Sequence, residues 1–582
     1  MEGFKTMEPT FYSVNTLADI LGTSVATIQK WGDSGIFPLH KDENGRLGFM
    51  SQDLMQIDAI RDMNNGEWCK EIQSRPKRVF TSVELFAGAG GLALGLDMAG
   101  FHHVLLNEFD EQACNTLRVN KPNWNVYEGD IHNVNFTPLR DKIDLLSGGF
   151  PCQAFSYAGK KGGLNDTRGT LFFELARAVN EIRPKVFVCE NVKGLQSHDG
   201  GKTLEIIRNA IRELGYTLVE PRVLKAIMYQ VPQKRERIIL VAIRNDFADK
   251  VTFKWPSPFH RVMTLRDAFF KGELFPTDVP ESEGQLYPDK KRRVMELVPE
   301  GGDWRDLPIE EQKAYMGGSF FLGGGKTGMA RRLSMDEPSL TLVCSPAQKQ
   351  TERCHPIETR PLNIREYARI QTFPDNWKFM GKMSDQYKQI GNAVPVNLAY
   401  AIGRALIRLM NDIDNVCPDK LNFAEINGIA RSMLPSRPLQ LDLFDLLEKH
   451  QDGVLAEPIK SYKSNRKNLL VSLVSGKLSN EFVEGKGGIY YTGSKFPSTI
   501  SLPKLQLFVP YIKGKGIRDL YRITKIRVAS KREVDAKAKK SDYRLFFELQ
   551  FIRRIFDEYK PINLDIWRTF SFSSLDRILD SN

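Results

Sequence analysis

Four residues of this 582-residue chain have the types and spacing for covalent chemistry led by a thiol. Cys152 stands on a tight turn, "GGFPCQAFS", just past the apolar Leu145 and Leu146, while Glu190 and Asn191 close the next apolar run in "VFVCENV". If the two runs are neighbouring strands, a thiol and a carboxyl meet at their ends. A buried structural thiol is the commoner state of an isolated cysteine. A Pro-Cys turn facing an acid favours instead a nucleophile whose partner manages a proton. Arg235 and Arg237 of "PQKRER" are two residues apart, which puts both on one face of a strand; ordinary surface charge is the alternative.

Such groups need a rigid frame, and from Val79 the chain supplies one. "RVFTSVELFAGAGGLALGLDMAG", "HHVLLNEFD", "KIDLLSGGFPCQ" and "PKVFVCENVKGL" each join a short β-rich run to a following helix. This alternation predicts an α/β fold with a parallel, doubly wound, Rossmann-like sheet. Ligands of such sheets lie at the carboxyl ends of the strands, where all the candidates fall. "FAGAGG" brings Phe86, Gly88, Gly90 and Gly91 to a strand-to-helix turn, where backbone can approach a ligand closely. Its glycines are not spaced as in the GxGxxG of a dinucleotide site. Glu108, ending the second strand, can accept both hydroxyls of a ribose, with Phe109 against an adenine face. Asp130 can accept the adenine amino group, with helix capping as the bland alternative, and Ile131 can pack on the ring. An adenosine pocket without a phosphate grip suits S-adenosylmethionine.

Composition narrows the setting. Apolar content of 41% with 26% charged residues is that of a soluble globular chain, and seven cysteines without CxxC spacing argue against a disulfide framework or a zinc site. No metal and a cytoplasmic location are therefore expected. A net charge of +11 and a pI near 9.1 point to a polyanionic partner.

The flanks differ from this frame. Residues 10–60 predict two short helices joined at Gly22 and a hairpin with "ENGR" at its tip. Ser24 is placed to cap the second helix, whose Val25, Ile28 and Trp31 can face a core. This segment, within a domain spanning 1–65, resembles the winged helix-turn-helix of MerR-type regulators and excisionases. A polar linker around "NNGEWCKEIQSRPKR" is expected to leave it out of register with any catalytic site. Residues 446–582 are expected to form a C-terminal α+β domain; between 511 and 545 it has twelve Lys or Arg against four Asp or Glu. That ratio fits a solvated face as well as a nucleic-acid surface.

The ordered set "FAGAGG", "GGFPCQAFS", "RGTLFFE", "ENV", "QKRER" and "QIGNAVPVNLA", from Val79 to Leu406, resembles the DNA cytosine-5 methyltransferase family, with Glu84 where many members have Asp. The resemblance implies transfer of a methyl group from S-adenosylmethionine to carbon 5 of a flipped cytosine in double-stranded DNA, through a covalent Cys152 intermediate. It implies that Glu190 contacts ring nitrogen 3 and the exocyclic amino group. Arg235 and Arg237 would lie near the cytosine carbonyl and the nucleophile, and Asn392 and Val394 would complete the cofactor site. The catalytic domain would span 79–410 and contain a target-recognition region at about 250–358. There Arg331, Arg332, Lys349, Gln350 and Arg353 can read base edges or bind phosphate. Arg360 is expected to anchor the segment that supports this region. The setting implied is the modification enzyme of a bacterial restriction-modification or defence system. It would act as a monomer at the nucleoid, with room for a cognate restriction endonuclease and for transcriptional regulation through the N-terminal domain.

Overall fold

The computed structural model describes residues 10–43, 45–150, 171–321, 327–419 and 422–434, with six further strands between 469 and 573. Cys152 and the loop after it therefore lie outside the described residues. The chain divides into two units, Met1–Pro438 and Leu439–Asn582.

At the N-terminus β1 (Phe11–Ser13) leads into α1 (Val14–Leu21) and α2 (Val25–Asp33), followed by β2 (His40–Lys41) and β3 (Leu47–Met50). The three strands form one antiparallel sheet in the order β1-β3-β2. Local chemistry explains the helix ends: the Ser13 and Ser24 hydroxyls accept the Thr16 and Thr27 amides at 3.1 and 3.0 Å, each satisfying an orphan donor. Ile28 is fully buried and Trp31 half-buried, but Val25 is 44% exposed, because the first turn of α2 stands clear of the core. The expected loose linker is absent. α3 (Asp58–Asn64) and α4 (Glu67–Glu71) follow directly, and Trp68 enters the large catalytic core. The buried Glu71 carboxylate accepts from the Ser257 hydroxyl at 2.8 Å and from Arg408 Nη1 at 2.6 Å. A buried carboxylate so bonded fixes the chain on both sides of it.

The central sheet contains β4 (Phe80–Leu85), β5 (Phe101–Glu108), β6 (Val126–Glu128), β7 (Leu145–Gly149), β8 (Val186–Val192), β9 (Tyr216–Leu218), β10 (Arg222–Lys225) and β12 (Glu236–Arg244), with the two-residue β11 (Gln233–Lys234) outside it. Its order is β10-β12-β8-β7-β4-β5-β6, with β9 also on β12. The chain moves outward from β4 to β6 and then returns to β7, so the topological switch lies between β4 and β7. β4 is buried along its whole length, as a strand covered on both faces must be. One layer is α5 (Gly91–Ala99) against a long C-terminal helix described below; the other includes α7 (Leu171–Ile182) and α8 (Lys202–Glu213). α6 (Glu111–Asn120) follows β5, and the short α9 (Asn245–Ala248) ends β12.

The sheet is not wholly parallel. β4 to β8 are, but β12 runs antiparallel to β8, and β9 and β10 run antiparallel to β12. Only about ten residues join β10 to β12, too short for the crossover a parallel pair needs.

Residues 250–358 break the αβ alternation as expected, holding α10 (Leu265–Phe269), α11 (Asp289–Glu296), α12 (Ile309–Met316) and β13 (Ser339–Leu340). Two of the expected base readers are instead structural. Arg332 is buried and donates to the carbonyls of Val298 and Met295 at 2.8 and 2.6 Å, and Arg353 is buried with Nη2 on the Thr341 carbonyl at 2.5 Å. A guanidinium has five donors and no acceptor, so it satisfies clustered carbonyls where irregular chain has no ladder to offer. Arg331 is half-buried near Asp303, while Lys349 and Gln350 are exposed. Arg360 is an anchor, paired through both Nη atoms and Nε with Glu366 and Glu358.

α13 (Ile364–Ile370), α14 (Met383–Asn392) and α15 (Val396–Val416) close the catalytic unit. α16 (Phe423–Met433) extends it past the expected boundary at 410, burying Ile426 and Ala430 in the core. In the C-terminal unit, β14 (Leu469–Val474), β15 (Ile489–Tyr491), β16 (Leu507–Ile512), β17 (Asp519–Ser530), β18 (Tyr543–Arg554) and β19 (Phe570–Ser573) form one sheet ordered β15-β18-β17-β16-β14-β19.

Candidate active site

The strand ends build two adjoining regions. Under the first, β4 turns at Phe86, whose φ of 57° is unusual for a non-glycine residue and costs backbone strain. Gly88 donates its amide to Glu108 Oε2 at 2.7 Å, and space lies open within 4 Å of where its Cβ would stand. Gly91 is required for the opposite reason: a Cβ there would lie 2.2 Å from the Val394 carbonyl oxygen. The first turn of α5 and the loop before α15 can therefore touch only through glycine. Gly90, also left-handed at φ 86°, packs beside Leu117 and Trp377.

Glu108 organises the second strand end. Its Oε1 accepts the Phe109 and Asp110 amides at 2.8 and 2.7 Å, so the carboxylate ties the ends of β4 and β5 together. Phe109 projects outward, 76% exposed, as a ring-sized apolar platform. Asp130 does serve as a cap: its Oδ1 accepts the His132 amide at 3.1 Å and lies 2.6 Å from His132 Nδ1. Ile131 is buried in the core, so its side chain mainly supports this end. Asn392 Oδ1 accepts the Cys344 thiol at 3.3 Å, while Val394 meets Gly91 through its carbonyl. Beneath them Glu84 is fully buried and accepts the Ser147 hydroxyl at 3.2 Å; burial pushes its carboxyl up to about 8, leaving it protonated at neutral pH. The open backbone at Gly88, the exposed Phe109 ring and the carboxylates of Glu108 and Asp130 fit an adenosine-bearing cofactor and offer no phosphate cradle. Phe109→Ala is expected to weaken S-adenosylmethionine binding by about 1–3 kcal/mol, the scale of a lost stack on a base. Calorimetry giving the wild-type affinity would remove Phe109 from the pocket.

The second region lies across β7, β8 and β12. Gly149 of β7 is the register partner of Glu190 on β8, and a Cβ on Gly149 would come within 3.1 Å of Glu190 Oε2. The glycine leaves room for the carboxyl three residues before Cys152. Asn191 Nδ2 donates to the Phe150 carbonyl at 2.9 Å and fastens the exit of β7 to the end of β8. Arg237 Nε sits 2.5 Å from Glu190 Oε1, both side chains largely enclosed. The antiparallel course of β12 makes this possible: it sets Arg237, near the start of β12, at the carboxyl end of β8, diagonal to Glu190.

Arg235 does not share a strand face with Arg237. It lies between β11 and β12, buried, with Nη1 on the carbonyls of Leu342 and Gly391 at 3.4 and 3.2 Å. Burial, with the Arg237 charge alongside, pulls its guanidinium below the usual range. Two residues not singled out in the sequence complete the frame. Gln233 Oε1 accepts the Leu342 amide at 3.0 Å and its Nε2 donates to Gln371 Oε1 at 2.9 Å; Gln371 Nε2 in turn donates to the carbonyls of Ile390 and Ala393. Their signal was a glutamine amid apolar neighbours in "VPQK" and "RIQTF", polar groups that burial obliges to find partners.

A family model described as C-5 cytosine-specific DNA methylase matches residues 80–408. The type II methyltransferase M.Eco47II of Escherichia coli is 59% identical over 404 residues, covering 69% of this chain and 97% of that protein. M.PspPI of Psychrobacter sp. is 59% identical over 401 residues, covering 69% and 96%. M.Sau96I of Staphylococcus aureus is 46% identical over 410 residues, covering 70% and 90%.

Proposed function

Since the chain belongs to the C-5 cytosine-specific DNA methylase family and is a DNA cytosine-5 methyltransferase, we propose that Cys152 is its nucleophile, Glu190 its proton-managing acid and Arg237 their electrostatic partner. The observation that carries this is the Glu190–Arg237 pair, built beside the strand end that leads into Cys152. Carbon 5 of cytosine is a weak nucleophile. A thiolate adding at carbon 6 makes it an enamine carbon, splitting one hard step into easier ones. Glu190 is the group to hold a proton at ring nitrogen 3 as charge develops there, and Arg237 fixes its carboxyl. Loss of the carbon 5 proton and elimination of Cys152 then restore the ring. S-adenosylmethionine, when bound, supplies an electrophilic methyl sulfonium, and Glu108, Phe109 and Asp130 with the Gly88–Gly91 turn are the residues to hold it.

The duplex stacks its bases, so the cytosine must be flipped at a cost of a few kcal/mol. The setting we infer is the modification half of a restriction-modification system, consistent with the type II relatives. Bisulfite sequencing of DNA from cells expressing the chain should show one short sequence with a protected cytosine. DNA that converts throughout would refute the assignment.

A second role, DNA contact by the N-terminal module, is supported by the two helices meeting at Gly22 and by the outward face of α2, where Ala26, Gln29 and Lys30 are exposed. In the full chain, replacing Gln29 and Lys30 together by alanine should weaken binding to the upstream promoter by about 1–3 kcal/mol and leave methylation intact. Unchanged promoter binding would dismiss this role.

A further inference from the structure

We infer that the N-terminal module is a working part of the methyltransferase: helix α1 grips two lysines, Lys225 and Lys234, and through them positions the segment bearing Arg235 and Arg237. This rests on the placing of Arg237 and Glu190 in the active site. Lys225 Nζ donates to the carbonyls of Asp19 and Ile20, at 2.9 and 2.8 Å, in the last turn of α1. Those carbonyls have no partner within the helix and lie at its negative end, so a cation is the natural cap. Here the cap comes from 206 and 205 residues away in the chain. Gly22 is fitted to it: its φ is 70°, and a Cβ there would lie 2.8 Å from Lys225 Nζ.

The second grip is charged. Lys234 Nζ lies 2.7 Å from Asp19 Oδ2 and 3.3 Å from Glu337 Oε2, and Glu337 Oε1 accepts from Asn15 Nδ2 at 2.6 Å. Apolar packing joins the same partners, for Ile227 and Val262 are buried in one cluster with Leu17, Ile20 and Ile28.

The gripped residues flank the arginines in the backbone as well as in sequence. The Ala226 amide, next to Lys225, donates to the Arg235 carbonyl at 2.8 Å. Lys225 and Leu224 of β10 are the register partners of Glu236 and Arg237 on β12. Lys234 immediately precedes Arg235, and its carbonyl accepts the Thr341 hydroxyl at 2.7 Å. Movement of α1 is therefore movement of the chain that aims Arg237 at Glu190. The cofactor turn is elsewhere: β10 is one edge of the sheet, whereas the Phe86–Gly91 turn follows β4, which β12, β8 and β7 separate from β10, and β5 and β6 lie beyond it toward the other edge. Asp19, Lys225 and Lys234 are accordingly positioning residues, and their loss should reach the chemical step and spare cofactor binding.

The test uses the full chain, saturating cofactor and duplex, and single-turnover methyl transfer. Lys225→Met keeps the stem and removes the charge; it should slow transfer by about 10- to 100-fold, the cost of an ångström-scale misplacement of reacting groups. Cofactor affinity by calorimetry should stay at the wild-type value, the melting temperature should fall by no more than the loss of one helix cap explains, and Lys225→Arg, which can still donate to both carbonyls, should recover most of the rate. If Lys225→Met does not fold, Asp19→Asn carries the same test, because it leaves the carbonyl cap in place and removes only the Lys234 charge pair. A wild-type rate in the folded variant overturns the proposal, as does a loss of rate matched by equal losses of cofactor affinity and stability. Arg237→Lys separates the two levels. If it retains full activity, the active-site reading falls. If it is inactive while Lys225→Met is not, only the brace falls.

Discussion

A Cys152→Ser enzyme is expected to bind S-adenosylmethionine with unchanged affinity while losing methyl transfer by at least about 10³-fold, as when an acting nucleophile is removed. A serine hydroxyl ionises far less readily than a thiol and is a weaker nucleophile toward an electron-poor ring carbon. The nearby "CEN" of β8 brings a second cysteine close in sequence, Cys189, but it cannot substitute. It points into the core with no exposed surface, and burial pushes its thiol far above the ordinary range, so it holds no useful thiolate. Cys344 is exposed, yet its thiol is directed to Asn392 and it is on no strand end beside Glu190. Single-turnover transfer of a labelled methyl group measures the loss, and calorimetry the retained cofactor. A serine variant within tenfold of wild type would show that the nucleophile is another group. A variant that also lost cofactor affinity would place Cys152 in the cofactor pocket.

Much of this site was legible because burial leaves a mark on sequence. β5 and β8 are buried along nearly all their length, so their middles read as apolar runs, and the acids at their ends stood out as Glu108 and Glu190. Strand direction leaves no such mark. β12 is as apolar as the parallel strands of the sheet, and its reversal, which sets Arg237 against Glu190, depends on the short connection from β10. The arginines misled for a related reason. A guanidinium among loop carbonyls and one facing DNA are the same letter, and only the packing of 295–298 and 341 around Arg332 and Arg353 tells them apart. The polar stretch after residue 64 looked like a tether because charged residues, Glu, Lys and Arg, are its largest group. Trp68 and the doubly bonded Glu71 hold it in place. Nothing in the sequence singles out Lys225 or Lys234, because α1, which meets both, lies some two hundred residues away in the chain.

Glu190→Gln should slow methyl transfer by about 10²- to 10⁴-fold, the range lost with a positioned acid or base, and leave the fold and cofactor affinity intact. Glutamine has nearly the same shape, so the clearance above Gly149 is kept and Asn191 can still hold the Phe150 carbonyl. What disappears is a group able to exchange a proton, together with the negative partner of Arg237. That guanidinium is only 13% exposed, so its charge would remain with little water to replace the carboxylate. An uncompensated cation beside the flipped base could still attract electron density from the ring, which is why some transfer should persist. It could not deliver or accept the proton that moves when the thiolate adds and leaves. Single-turnover methyl transfer at saturating cofactor and duplex measures the loss, and calorimetry the retained cofactor. A variant within threefold of wild type would take the proton-managing role away from Glu190 and leave it as the counter-ion that orients Arg237.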